Sequence, residues 1–280
     1  MAERLEQVAQ HLATVNELSE VIAAMRGIAA ARAREARQSL DGVRTYAETL
    51  GTAIGEALAL LDTAMPPAPR ATRATGLAVV LSTEQGFVGN LGDRLLTEVT
   101  DTPGLADAGL LLVGERGRQR ADEHHLVPDW TAPMAAHLEE IPGLAERLGE
   151  AIHERLSDTP LTVSLLHAQP GDTGEPPPVT QRTLLPFDYS RFPVSRRRAP
   201  PATHLEAAAL VEALAGEYLY AELHEAILLA FVAENEARLS AMIAAQSHLD
   251  ERRETLLGDY HRARQEAITE EIITLAASRL

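Results

Sequence analysis

The residue groupings best placed to do chemistry are few. Gly86, Gly89 and Gly92 follow an apolar run at 77–81 and open an amphipathic stretch. A Gly-rich turn between a strand and a helix can hold a phosphate on its backbone N–H groups. The spacing here is neither G-x-G-x-x-G nor G-x-x-x-x-G-K, and no Lys occurs anywhere in the chain. A tight turn is the stronger reading. Asp122, Glu123, His124 and His125 bring metal-ligating types together, but neighbouring residues on a helix point to different sides and do not converge on one ion. His204, His224, His248 and His261 stand at non-converging spacings in one long helical stretch and read as surface or seam residues. Glu139 with Glu140, Glu234 with Glu236, and Glu270 with Glu271 read as solvated helix faces. No Ser–His–Asp set has a supporting loop, and the absence of Cys removes thiolate and disulfide chemistry. The expectation is a chain without a catalytic, cofactor-binding or metal site.

The elements that would position such residues are more legible. Segment 234–277 contains no Pro and one Gly, and Leu239, Met242, Leu249, Leu256, Tyr260, Ala263 and Ala267 recur at three- and four-residue steps. That is one helix face, sustained too long for an ordinary globular helix. Gln246 and Arg253 interrupt it, so the seam is narrow and must lie along a partner helix. From Ala2 to about Ala64 there is again no Pro. Leu5, Val8, Leu12 and Val15 keep the step, and Leu18, Ile22, Met25 and Ala29 keep it after a slip of three. Gly27, Gly42, Gly51 and Gly55 each weaken a helix by roughly 1 kcal/mol relative to Ala. A kink near Asp41-Gly42 and an end at Met65-Pro66 are therefore expected.

Between Pro/Gly-rich linkers at 66–76 and 191–201, short apolar runs alternate with amphipathic ones. Strands are expected at 77–81, 108–114, 126–130, 161–167 and 179–185. Helices are expected at about 92–99, 116–124 and 142–156. This alternation predicts a mostly parallel sheet covered by helices, with room for an antiparallel edge. Thr203 and Glu206 form a capping-box pattern that opens the last helix, about 110 Å long at 1.5 Å per residue. Three segments result: 1–65, 66–202 and 203–280. The economical arrangement packs the two terminal helices antiparallel, with the α/β domain bulging from one side.

Formal net charge is −16 and all 25 basic residues are Arg. Such a chain is a poor match for nucleic acid or anionic lipid. Arg26, Arg32, Arg34 and Arg37 nevertheless cluster, as do Arg196 to Arg198. No apolar run reaches the roughly 18 residues of a membrane span, and MAERLEQVAQHL lacks a signal-peptide layout. A cytosolic chain that meets a membrane only through partners is expected.

Ala24-Met25-Arg26-Gly27-Ile28-Ala29-Ala30-Ala31-Arg32-Ala33-Arg34 resembles the N-terminal signature of the gamma, or central-stalk, subunit of F-type ATP synthases, and Arg44-Thr45-Tyr46-Ala47-Glu48 resembles that family's R-x-Y-A-E. Glu234-x-x-Ala237-Arg238 through Met242, and Tyr260 through Arg264-Gln265, Ile268-Thr269 and Glu271-Ile272, are similar to its S-E-x-x-A-R-x-x-A-M and Y-N-x-x-R-Q-x-x-I-T-x-E-I. The loop from Ser82 to Leu91 is similar to S-D-x-G-L-x-G-x-L. The resemblance spans essentially the whole chain. It implies an antiparallel coiled coil of the N- and C-terminal helices with a Rossmann-like α/β domain inserted between them.

The resemblance also implies a use. The shaft stands inside a hexamer of alpha and beta subunits, its lower end rests on the c-ring with the epsilon subunit, and its asymmetric faces drive the beta sites through their states in turn. By position, Met25, Arg32 and Arg34 match where the family's shaft meets the lever loops of beta. Arg238, Gln265, Thr269 and Glu271 match contacts of the C-terminal helix with those loops, with the surrounding collar, or within the shaft. The implied location is peripheral, on the cytoplasmic face of a bacterial cell membrane, with no cofactor. Departures are His261 for the usual Asn, Gly27 for a larger residue, the absence of Lys and the ending Ala-Ser-Arg-Leu. They point to a divergent branch. The rival readings are a nucleotide-binding α/β enzyme with oligomerising helices and a coiled-coil adaptor.

Overall fold

A computed structural model describes residues 2–61, 76–156, 162–171, 175–194 and 202–277. The chain forms two compact units, one of 31–237 and one of 1–30 with 238–280.

Two helices contribute to both units. Helix α1 runs Ala2–Leu58 and α5 runs Ala207–Ala277. The kink expected at Gly42 is absent. Nothing lies near the place a Cβ would take there, so this glycine lowers propensity without inviting a neighbour in. Helix α1 also stops at Leu58, short of Met65-Pro66, which lies outside the described residues. Helix α5 begins at Ala207, and its first backbone bond runs from the Leu210 N–H to the Glu206 carbonyl. Thr203 therefore lies too far upstream to be its N-cap.

In the unit of 31–237 a five-stranded sheet has the order β3-β2-β1-β4-β5. The strands are β1 (Gly76–Leu81), β2 (Gly109–Val113), β3 (Trp130–Ala132), β4 (Thr162–Ala168) and β5 (Val179–Leu185). The first four are mutually parallel and β5 is an antiparallel edge. Strand β3 falls later than the expected 126–130. His125 turns the chain with φ 57°, and the Asp129 N–H is given to the Leu110 carbonyl before the ladder starts.

Both faces of the sheet are covered, as a parallel sheet requires. Along β1, Leu77, Val79 and Leu81 join one core with α4 (Ile141–Leu156), the α5 residues Ala226 to Val232, and Ala36 and Leu40 of α1. Ala78 and Val80 join a second core with α2 (Leu91–Asp101) and α3 (Glu115–Ala121). The α5 stretch 226–235 is buried all round, the state of a helix hydrophobic on every face.

Cross-helix bonds in this unit run antiparallel. Arg37 pairs with Glu236, Arg44 Nε with Glu225 at 2.8 Å, and the Tyr46 hydroxyl donates to Glu217 at 3.0 Å. Glu236, Arg44 and Tyr46 are thus ties within the helix pair, and Glu236 is no free solvated face.

The unit of 1–30 with 238–280 is a helix pair. Gln246 Nε2 donates to the Ser19 hydroxyl at 2.7 Å, and Arg4 lies 3.7 Å from Glu266. Val15 and Ala29 are buried from one side, and Met242, Leu256 and Ala263 from the other. Leu18, expected in the seam, is 48% exposed. The slip after Val15 passes through Ser19, one residue later, because that hydroxyl has Gln246 to bond.

Candidate functional site

The chemistry-bearing loop follows β1. Ser82, Thr83 and Val88 are buried, while Phe87 is 67% exposed with φ 61°. Gly89, at φ 63°, completes the reversal, and Gly92 sits in α2 with the Thr83 hydroxyl 3.1 Å from where a Cβ would stand. The cluster is a tight turn, and the two backbone donors just before it are used internally. The N–H groups of Glu84 and Gln85 donate to the two carboxylate oxygens of Glu234 at 3.0 and 3.1 Å. Glu84 in turn accepts from the Glu115 N–H at 3.0 Å and the Met134 N–H at 2.7 Å. Glu234, expected on a solvated face, is 6% exposed. A buried carboxylate needs such donors, since stripping its water without replacing the bonds is costly.

In an open sheet of this order the ligand crevice lies outside the carboxyl ends of the strands where the order reverses, here between β1 and β4. In the loop after β1, the N–H groups of Glu84 and Gln85 are turned onto Glu234.

Among the described residues no cluster of three or more His, Asp or Glu could hold a metal ion. His124 lies 3.4 Å from Asp93, which also forms an ion pair with Arg120, its Nε 2.7 Å away, while His125 is exposed. Glu140 is also more than a solvated face. Its carboxylate accepts the Ala136 and His137 N–H groups, which hold its pKa below the usual carboxylate range. His224 is half-buried, and burial lowers its pKa. His204, His248 and His261 are exposed.

The residues matched to shaft contacts fall as follows. In the unit of 31–237, Arg32 is half-buried and Arg34 exposed. In the helix-pair unit, Met25 is half-buried, Arg238 is buried, and Gln265, Thr269 and Glu271 are exposed. The Thr269 hydroxyl donates to the Gln265 carbonyl at 2.9 Å, and both residues border a shallow groove of about 620 Å³ with Arg262, Glu266 and Ile273. Glu271 follows Thr269 by two residues, so the helical period turns it to another side.

Three further features escaped sequence reasoning. One is the Glu84–Glu234 arrangement. Glu234 opens a matched motif, but nothing in spacing alone says that it turns inward. The second is Glu222, 3% exposed, whose carboxylate accepts from Arg191 at 2.8 Å and lies 3.5 Å from Arg182. Arg191 also stands over the rings of Phe192 and Tyr218. The third is a cleft of about 750 Å³ walled by Phe192, Pro193, Tyr218 and Gly51 and edged by Arg44, Glu48 and Glu225.

Comparison with known proteins gives this architecture its place. The model of the ATP synthase family matches residues 4–278. The gamma chain of ATP synthase from Flavobacterium johnsoniae is 24% identical over 278 residues, covering 97% of this chain and 96% of that one. That of Synechococcus sp. (strain JA-2-3B'a(2-13)) is 28% identical over 314 residues, covering 98% of each. The chain belongs to the ATP synthase gamma-chain family. Its fold agrees with this. A chain of the mitochondrial ATP synthase of Euglena gracilis, from an assembly of OSCP, F1 and c-ring in rotational state 3, superposes with a TM-score of 0.66 at 12% identity, covering 100% of this chain and 94% of that one. A chain of the Tetrahymena thermophila mitochondrial central stalk and c-ring gives 0.53 at 18% identity, covering 80% and 99%. At these identities the likeness is one of fold.

No helix among the described residues is long and apolar enough to cross a membrane.

Proposed function

We propose that the chain is the central-stalk rotor of an F-type ATP synthase, passing c-ring rotation to the catalytic sites of the beta subunits. The observation that carries this is that both terminal segments form long helices with antiparallel bonds between them, while two N–H groups of the loop after β1 are given to Glu234 of the second helix. The working parts are shaft helices at 1–65 and 203–280 around a flank domain at 66–202.

The partners are a hexamer of alpha and beta subunits around the shaft, the epsilon subunit, and the c-ring. Neither nucleic acid nor a cofactor takes part. The chain carries no catalytic site of its own and meets the membrane only through the complex, on the cytoplasmic face of a bacterial cell membrane. The complex works in the direction of ATP synthesis or of ATP-driven ion pumping.

Met25, Arg32, Arg34, Arg238, Gln265, Thr269 and Glu271 are the proposed residues of torque transfer. Guanidinium groups suit contacts that pass from one subunit to the next, being planar, permanently charged and screened by water when exposed. Exposed Arg34 and half-buried Arg32 present such groups.

In a reconstituted complex, Arg32→Ala with Arg34→Ala should lower ATP turnover about tenfold with normal assembly, the size of losing one charge-assisted hydrogen bond of about 1.5 kcal/mol. Unchanged turnover would favour the adaptor reading. Calorimetry of the isolated chain with ATP, ADP and NAD should be silent, and binding at the loop of Gly86 to Gly92 would restore the enzyme reading.

A further inference from the structure

The carboxyl ends of three parallel strands meet the interior of α5 at two side chains. Glu84 follows β1, and its carboxylate takes the Glu115 N–H after β2 and the Met134 N–H after β3. The backbone of that same Glu84, with that of Gln85, is held by Glu234 of α5. Glu234 thus holds the backbone of the loop that leaves the carboxyl end of β1.

Most of the grip between the sheet and α5 is apolar, from Ala226 to Ala233. Burial of that kind is strong but non-directional. It holds a helix against a sheet without fixing how far the helix is rotated or slid. Hydrogen bonds lose strength steeply off their axis. A two-oxygen carboxylate on two successive N–H groups therefore sets both rotation and register. Being buried, it has no water to fall back on if it shifts.

We infer that Glu234 is the positioning residue that makes the flank domain and the α5 segment it grips turn as one body, with Glu84 tying the strand ends to the same point. The loop after β1, tied to the ends of β2 and β3 through Glu84 and to α5 through Glu234, serves here as a torque joint. The inference rests on the rotor reading above.

The test uses the whole F-type complex in ion-tight vesicles, with ATP hydrolysis and ATP-driven ion uptake measured together. Glu234→Ala should keep hydrolysis while uptake per ATP falls about twofold or more, and amide exchange at Glu84 and Gln85 should quicken roughly tenfold. Glu234→Gln, which keeps the shape but presents an N–H to one of the two donors, should move both readouts in the same direction. Unchanged exchange overturns the geometric half of the inference. Faster exchange with unchanged uptake per ATP overturns the torque half. Where Glu234→Ala does not assemble, Glu84→Gln takes its place: a lowered uptake per ATP supports the joint, and an unchanged ratio overturns it. A wild-type chain that never enters an F-type complex removes the rotor reading and the torque role with it, while exchange in the isolated chain still reports whether Glu234 holds the loop.

Discussion

At Gly55 a Cβ would stand 2.4 Å from the Pro193 carbonyl oxygen, and at Gly51 one would stand 3.2 Å from the Phe192 ring. These two glycines let the 192–193 segment lie directly on α1, whereas Gly42 faces open space. Gly55→Ala should therefore lower stability by about 1–3 kcal/mol through overpacking against backbone. Gly42→Ala should raise it by about 1 kcal/mol through helix propensity. Urea unfolding of the two variants side by side checks the opposite signs. His167 offers a second residue-scale test. It is buried in β4 with Nδ1 3.0 Å from the Ala168 carbonyl, and burial lowers its pKa, with Arg182 adding to the effect. The folded state keeps it neutral, while the unfolded chain takes up a proton near 6.5. Its contribution is full above that value and is lost as pH falls towards the lowered folded pKa. His224 acts in the same direction. Stability should drop between about pH 7.5 and 5.5, less steeply in His167→Gln, and equal slopes would contradict the assignment. Glu115 is separable, since Arg118 and Gln119 hold its carboxyl at about 2, so its contribution is full above the ordinary value of 4.5 and is lost only as pH falls from there towards 2, below the histidine window.

Among the elements, the narrow seam of the 1–30 and 238–280 pair combines apolar residues with a side-chain hydrogen bond across it. The Gln246 amide has two acceptors, Ser19 on the facing helix and Asp250 on its own, while its Oε1 is buried without a partner. Ser19→Ala should cost about 1 kcal/mol by removing the first of these acceptors. Adding Gln246→Leu should recover that loss, because removing both partners restores an apolar seam. Thermal melts of the two single variants and the double variant give the coupling. The seam also marks what periodicity can reveal. Met242, Leu256 and Ala263 were readable as buried because their spacing repeats. That Ser19 rather than Leu18 enters the seam was not, because it depends on a partner more than two hundred residues away. Strands 77–81 and 179–185 were readable from apolar or alternating runs. The shift of β3 depends on a left-handed His125, for which its sequence carried no Gly signal. The capping-box pattern at Thr203 failed because local capping competes with where α5 is free to begin.

For the whole molecule, the terminal helices and the covered parallel sheet were legible because each rests on patterns many residues long. The matched contact positions were legible as types, through motifs, but not as environments. Arg238 is buried and Arg34 exposed, although both are arginines in matched motifs. Glu234 was legible only as an acidic helix residue, since its inward turn follows from a loop 150 residues earlier. The far end of α5 raises a last point. Ile268, Ile272 and Ile273 are between 47% and 62% exposed there. A branched aliphatic row left wet is a liability in a chain that works alone, drawing it into clumps. Purified without company, the tip should therefore be the sticky part of the molecule. Trimming it or swapping those isoleucines for threonine should keep the preparation clear on concentration, as light scattering would register.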